Sequence, residues 1–181
     1  MWIMQKNKKQ NLRKTSLAAI FVCFLAVSAQ ISLPTPFGVP FSLQVFAVAL
    51  CGYTLGLAGG TAAVVCYILA GAVGLPVFTA FSGGAHIILG ANGGFILGFL
   101  CIAVACGLVF KKRLWVKILS GLLALALCHL WGVLQLKVIT DVGLFSAFLG
   151  GSAPFILKDI ICIILAAWLS ARINKLLEKT K

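Results

Sequence analysis

Acidic residues are almost missing from this chain: three in 181, namely Asp141, Asp159 and Glu178. Charged residues of both signs make up only 10% of it, against about a quarter in an ordinary soluble domain. A water-soluble fold of this length has too much surface to cover with so few charges, which excludes a soluble globular domain. Catalytic motifs are missing as well: no paired carboxylates, no HExxH, no GxSxG and no GxxxxGK[ST] phosphate loop. The chain therefore has no Walker-type ATP site, and no enzymatic role is expected. If it drives uphill transport, the energy comes from a partner or an ion gradient. Seven cysteines are present but no CxxC pair, and all seven fall in apolar stretches, where free cysteine behaves as a small hydrophobe. His86 and His129 are isolated and share no metal-ligand spacing. Neither a disulfide framework, a metal site nor a cofactor is expected in this chain, and both histidines read as packing residues.

What the sequence has in abundance is apolar length. Hydrophobic residues are 62% of the chain and the mean hydropathy is +1.14. A bilayer core about 30 Å thick takes roughly 20 apolar residues per helix, which leaves room for about six crossings. The expected fold is an all-α integral membrane protein, a single six-helix membrane domain over 1–181 that begins with a basic cytoplasmic segment at 1–14. The six helices are expected at 15–33, 44–57, 60–73, 92–110, 115–138 and 155–176. The second and third are short for a full crossing, so they are tilted, broken or displaced from the membrane centre. The basic start and the Val27-Ser28-Ala29 triplet also resemble a signal peptide. The apolar run continues to Leu33, however, and the rest of the chain is equally apolar, which favours a first membrane helix.

The net charge is +12, and it comes in blocks. Lys6, Lys8, Lys9, Arg13 and Lys14 open the chain; Lys111, Lys112, Arg113 and Lys117 interrupt it; Arg172, Lys175, Lys179 and Lys181 close it. Such blocks flank membrane spans on the cytoplasmic side, and no soluble basic face remains for nucleic acid. Four crossings separate the first block from the second and two more separate the second from the third, so six helices place all three inside. Both termini are then cytoplasmic, and loops 34–43, 74–91 and 139–154 lie outside. Those three hold all five prolines and Gly74, Gly83, Gly84, Gly150 and Gly151. The inner links are plain: a tight Gly59-Gly60 turn and the basic linker. Irregular segments on a rigid scaffold tend to carry function, so a site open to the outside is expected.

Within the spans, Gly52, Gly56 and Gly60 recur every fourth residue, as do Gly90, Gly94 and Gly98, a spacing that brings helix backbones close. Ala19 and Cys23, extended by Ala26, make a weaker row of small residues on the first helix, suited to a partner surface. Asp159 lies about one turn into the last helix, where an acid is costly and commonly lines a cavity; helping the helix start is its alternative role. Lys158 points about 100° away from it and can snorkel to the surface instead. Gln44 and Asn92 stand at outer helix ends with amides suited to a neutral polar ligand, although Asn92 also suits a helix cap. The Tyr67 hydroxyl needs a partner inside its span. Trp115 reads as an interfacial belt residue.

Tyr67-Ile68-Leu69-Ala70-Gly71-Ala72-Val73-Gly74-Leu75-Pro76-Val77-Phe78, then Gly83-Gly84, then Gly90-Ala91-Asn92-Gly93-Gly94-Phe95 with Gly98-Phe99, resembles the BioY family, the biotin-specific S components of energy-coupling-factor (ECF) transporters. Pro40-Phe41-Ser42-Leu43-Gln44 resembles the family's entry to helix 2, and the likeness resumes over 154–167. The resemblance implies a six-helix subunit of the bacterial cell membrane that captures biotin from outside. It also implies a coupling membrane protein and two ABC-type ATPases that consume ATP on its behalf. It points to Gln44, Tyr67, Phe78, Gly84, Asn92, Lys158 and Asp159 as substrate-binding residues, and to Ala19, Cys23 and Ala26 as the docking surface. In the family's last helix an aspartate is followed three residues later by a lysine. Asp159 matches the first and Cys162 departs from the second, leaving Lys158 as the nearby cation for the carboxylate of biotin. The ureido head suits Asp159, Asn92 and Gln44. An S component for another small vitamin, and a stand-alone ion-coupled carrier, stay open as alternatives.

Overall fold

Inside a bilayer a chain must satisfy its backbone groups within itself, and apolar runs of this length do so as helices. The computed structural model of the protein describes residues 2–35 and 39–179, without the side chains of 2–11, 14, 178 and 179. Pro36, Lys181 and the side chains of Lys6, Lys8, Lys9, Lys14, Glu178 and Lys179 therefore lie outside the described residues. The order is α1 (Trp2–Gln30), β1 (Ser32–Leu33), β2 (Phe41–Ser42), α2 (Gln44–Ala72), a 3-10 turn (Thr79–Phe81), α3 (Ala85–Leu89), α4 (Gly93–Leu108), α5 (Leu114–Thr140), α6 (Leu144–Gly151) and α7 (Ala153–Lys179).

Helix α2 is a hairpin rather than one rod. Gly56 sits at φ 74° and ψ −176°, a backbone state that only glycine adopts without strain. Residues eight apart on a straight helix are separated by about 12 Å, yet a Cβ added to Gly60 would lie 2.8 Å from the Gly52 Cα. Gln44 likewise reaches Tyr67, 23 residues on, at 2.8 Å. The two arms, 44–55 and 57–72, rise only about 18 and 24 Å at 1.5 Å per residue, so both are short for a crossing. With the two arms counted separately, the described residues hold six helical segments longer than ten residues: α1, the two arms, α4, α5 and α7.

Several boundaries differ from the sequence expectation. The reversal falls at Gly56, not at Gly59-Gly60, because Gly56 takes the left-handed state while Gly59 and Gly60 continue as helix. Gly52, Gly56 and Gly60 therefore do not share one helix face; Gly52 and Gly60 face each other across the hairpin. Gly90 ends α3 and stands outside α4. Gly94 and Gly98 do form a close-packed seam: added Cβ atoms would meet the Trp131 carbonyl at 2.6 Å and Cys128 Sγ at 2.7 Å on α5. The first helix stops at Gln30, and Ser32–Leu33 leave it to pair with Phe41–Ser42. The outer loops, expected to be irregular, hold this two-stranded ribbon and the short helices α3 and α6.

The core draws Leu25, Val48, Val64, Tyr67, Ile102 and Ile163 from five of the six segments, all fully buried. The outside is equally apolar: Leu123, Leu127, Leu130 and Trp131 on α5, and Leu157, Ile161, Leu165 and Trp168 on α7, are exposed. An apolar surface of that extent is a membrane-facing one.

Candidate ligand-binding site

A cavity of about 330 Å³ opens where the outer loops meet the helix ends, within the size range of small-molecule sites. It lies at the start of α2, α4 and α7, opposite the basic linker that follows α4. Its wall is mostly apolar, with Val45, Phe78, Ile96, Phe99 and Phe155 prominent. Its polar lining falls into two sets: Ser42, Asn92, His129, Lys158 and Asp159 on one hand, and Thr35, Gln44, Thr79 and Ser82 on the other.

Asp159 joins two members of the first set and is only 3% exposed. Its Oδ1 lies 2.7 Å from Lys158 Nζ and its Oδ2 lies 3.3 Å from His129 Nε2. Lys158 donates to the Ser42 carbonyl at 2.6 Å, with its ammonium over the rings of Phe41 and Phe155 at 4.8 and 5.9 Å. The expected divergence of Lys158 from Asp159 does not occur. Their Cβ atoms do start on different bearings, but the four-carbon lysine stem is long enough to fold back over the cavity, and the Ser42 carbonyl and two aromatic faces hold it there. His129, expected to be a packing residue, instead faces the acid, with Nδ1 2.8 Å from Ser152 Oγ.

Two loop segments roof the cavity. Gln44 accepts from Ser42 Oγ at 2.8 Å and from Thr79 Oγ1 at 3.2 Å, and donates to Tyr67 Oη at 2.8 Å. It thus ties β2, the 3-10 turn and the second arm of α2 together. Tyr67 passes the chain on by donating to the Val77 carbonyl at 3.1 Å. Gln30, which sequence reasoning did not single out, donates to the Phe78 carbonyl at 3.0 Å and accepts from the Phe81 N–H at 2.8 Å. This clamps the turn to α1 although Ala80 and Phe81 both have positive φ, a conformation that costs a non-glycine residue about 1–2 kcal/mol.

Of the residues expected to bind substrate, Gln44, Phe78, Asn92, Lys158 and Asp159 line the cavity. Asn92 stands at the start of α4, makes no side-chain cap and lines the cavity. Tyr67 is fully buried behind it. Gly84 is a turn residue at φ 111° whose N–H donates to the Gly71 carbonyl at 2.7 Å. On α1, Ala19 and Cys23 are exposed while Ala26 packs against the core. Cys162 is buried in the core one turn after Lys158. Among the described residues no cluster of His, Cys, Asp or Glu has the makings of a metal site. Lys117, grouped by sequence with the inner linker, is buried near the start of α5, where its ammonium donates to Ser170 Oγ at 3.0 Å.

A bundle of six apolar segments that walls a small pocket at its outer end, with a buried acid held between a lysine and a histidine, defines a membrane protein that binds a small solute. The chain belongs to the BioY family, whose sequence profile matches residues 4–179. It is 39% identical over 169 residues to the biotin transporter BioY of Thermotoga maritima, covering 91% of this chain and 98% of that protein. It is 38% identical over 162 residues to the probable biotin transporter BioY of Pyrococcus horikoshii, covering 90% and 96%. A crystal structure of the S-component for biotin from an ECF-type ABC transporter superposes with a TM-score of 0.86 at 24% identity, covering 92% of this chain and 93% of that one. That likeness establishes the fold.

Proposed function

We propose that this chain is the substrate-capture subunit of an ECF-type importer and that its ligand is biotin. The observation that carries the reading is the Lys158–Asp159 pair at 2.7 Å in the wall of a mainly apolar cavity. Biotin has a neutral ureido head, an apolar bicycle and chain, and one carboxylate. The apolar wall suits the bicycle, Asn92 and Asp159 suit the ureido N–H and carbonyl groups, and Lys158 suits the carboxylate. Lys158 thereby takes the part that the family resemblance gives to a lysine at position 162. The two positions are four residues apart and so share a helix face.

Binding is the whole task of the chain in this reading. ATP is consumed elsewhere, by two ABC-type ATPases joined through a coupling membrane protein. The exposed face of α1 at Ala19 and Cys23 supplies the docking surface, since small residues let another helix approach closely. The complex sits in a bacterial cell membrane with both termini of this chain in the cytoplasm, as the basic blocks require.

The test is a calorimetric titration of biotin into the purified, detergent-solubilised chain, with thiamine and riboflavin as controls. Saturable one-to-one binding of biotin alone is expected. A folded sample that ignores biotin and takes a control vitamin would redirect the reading to a sister subunit.

A further inference from the structure

The capture reading leaves a difficulty at Asp159, and the geometry points to its solution. Lys158 is the one lysine or arginine among the described residues lining the cavity, and it already holds Asp159 Oδ1. An anionic ligand that draws the ammonium toward itself strips a 3%-exposed carboxylate of its closest cation, and an unpaired buried charge is strongly disfavoured. We infer that His129 is a positioning residue for ligand binding, the second partner of Asp159 that holds the carboxylate in place while Lys158 turns to the ligand's own carboxylate.

His129 is placed for this from three elements. It projects from α5, its Nε2 faces Asp159 Oδ2 on α7 at 3.3 Å, and its Nδ1 lies 2.8 Å from Ser152 Oγ at the junction of α6 and α7. Ser152 is itself fixed: it is 1% exposed, its N–H donates to the Phe148 carbonyl at 3.0 Å, and its carbonyl accepts from the Phe155 N–H at 2.9 Å. Where the serine hydroxyl donates to Nδ1, the donor nitrogen of the ring is Nε2, which faces Asp159 Oδ2 at 3.3 Å without completing a hydrogen bond to it. The partner of one ring nitrogen sets the role of the other. The Lys158 contact and the His129 contact use different carboxylate oxygens, so one can loosen without disturbing the other.

This inference rests on the biotin-capture reading, and a paired-ligand titration separates the two. Purified full-length chain and its His129→Leu and His129→Gln variants are titrated with biotin and with biotin methyl ester. The ester keeps the ureido head but has no charge to draw Lys158 away. His129→Leu is expected to weaken biotin binding about tenfold or more, the factor that goes with losing one hydrogen bond to a charged group, and to change ester binding less than threefold. His129→Gln, whose amide can donate to Asp159, is expected to restore most of the lost biotin affinity. Equal losses for biotin and ester, or no loss at all, would overturn the role of His129, as would a His129→Leu variant that fails to fold alongside a His129→Gln variant that folds but is no better for biotin than for ester. Failure of the unaltered chain to bind biotin would instead overturn the capture reading itself.

Discussion

Among the described residues two lysines are withdrawn from solvent, at opposite ends of the bundle, and each reaches a serine. Lys158 at the outer end donates to the Ser42 carbonyl and touches Asp159 at 2.7 Å, beside a cavity of about 330 Å³. Lys117 at the inner end donates to Ser170 Oγ at 3.0 Å, lies over the Tyr53 ring at 5.6 Å, and is 3% exposed. The first ammonium has an acid, a second base behind that acid, and room for a ligand. The second has a neutral hydroxyl and an aromatic face and does not line the ligand cavity. A buried charge alone is therefore a poor marker of a binding site. The marker is a charge whose partners can be exchanged, next to space that a ligand can fill.

The comparison breaks most easily at Lys158. Lys158→Met removes the ligand's cation and leaves Asp159 with His129 alone. Biotin affinity is expected to fall on the order of 100-fold, as when one member of a buried charged contact is truncated, and calorimetry on the purified variant reads it. A loss under threefold would mean that the carboxylate is held elsewhere. Asp159→Asn comes next. It keeps the shape and the Lys158 cation but removes the charged acceptor, so a loss of about 30-fold is expected, with a melting temperature that shows a folded protein. Normal binding by that variant would remove Asp159 from the centre of the site.

The sequence made one end far more legible than the other. Hydropathy and the three basic blocks were enough for six helical segments and for the end of the bundle, away from the basic linker, at which the cavity lies, because both follow from the solvent alone. Asp159 stood out for the same reason. The turn in α2 was misplaced because 56, 59 and 60 are all glycine, and composition does not say which of them adopts positive φ. Lys158 was misjudged because helix geometry fixes where a Cβ points, not where a flexible ammonium ends. His129 was missed because its partners lie 23 residues away at Ser152 and further still at Asp159. Yet a histidine inside an apolar run is subject to the rule that singled out the aspartate, and applying it evenly would have flagged both. Lys117 was hidden by its neighbours, since three residues of basic linker just before it made it look like a fourth.

The departure at Cys162 offers a sharper, smaller test of the outer end. If residue 158 supplies the cation that family resemblance assigns to 162, moving it one turn should be tolerated in part. The double variant Lys158→Met with Cys162→Lys is expected to bind biotin about fivefold better than Lys158→Met alone, a coupling of ordinary size for neighbouring residues. Cys162 packs in the core at 5% exposure, so full recovery is not expected. No recovery would show that the pocket is built around the lysine's present position and not merely around its charge.

The smallest effect is expected at the inner end, from Lys117→Met. The ammonium can be removed there without orphaning another group. Ser170 Oγ still donates to the Ala167 carbonyl at 2.8 Å. Tyr53 Oη still donates to the backbone carbonyl of residue 117 at 2.5 Å, and Asn174 still donates to the Tyr53 carbonyl at 2.9 Å. Methionine fills much of the space of the lysine stem, and exchanging a buried charge for an apolar group of similar volume is often neutral or stabilising. Biotin affinity is expected to stay within about twofold, and stability within about 1 kcal/mol or higher, as surrounding bonds persist. Thermal melting and calorimetry on the same sample check both. A loss of binding at this distance from the cavity, without a loss of stability, would show that the two ends are coupled, and Lys117 would then belong to the machinery of the site after all.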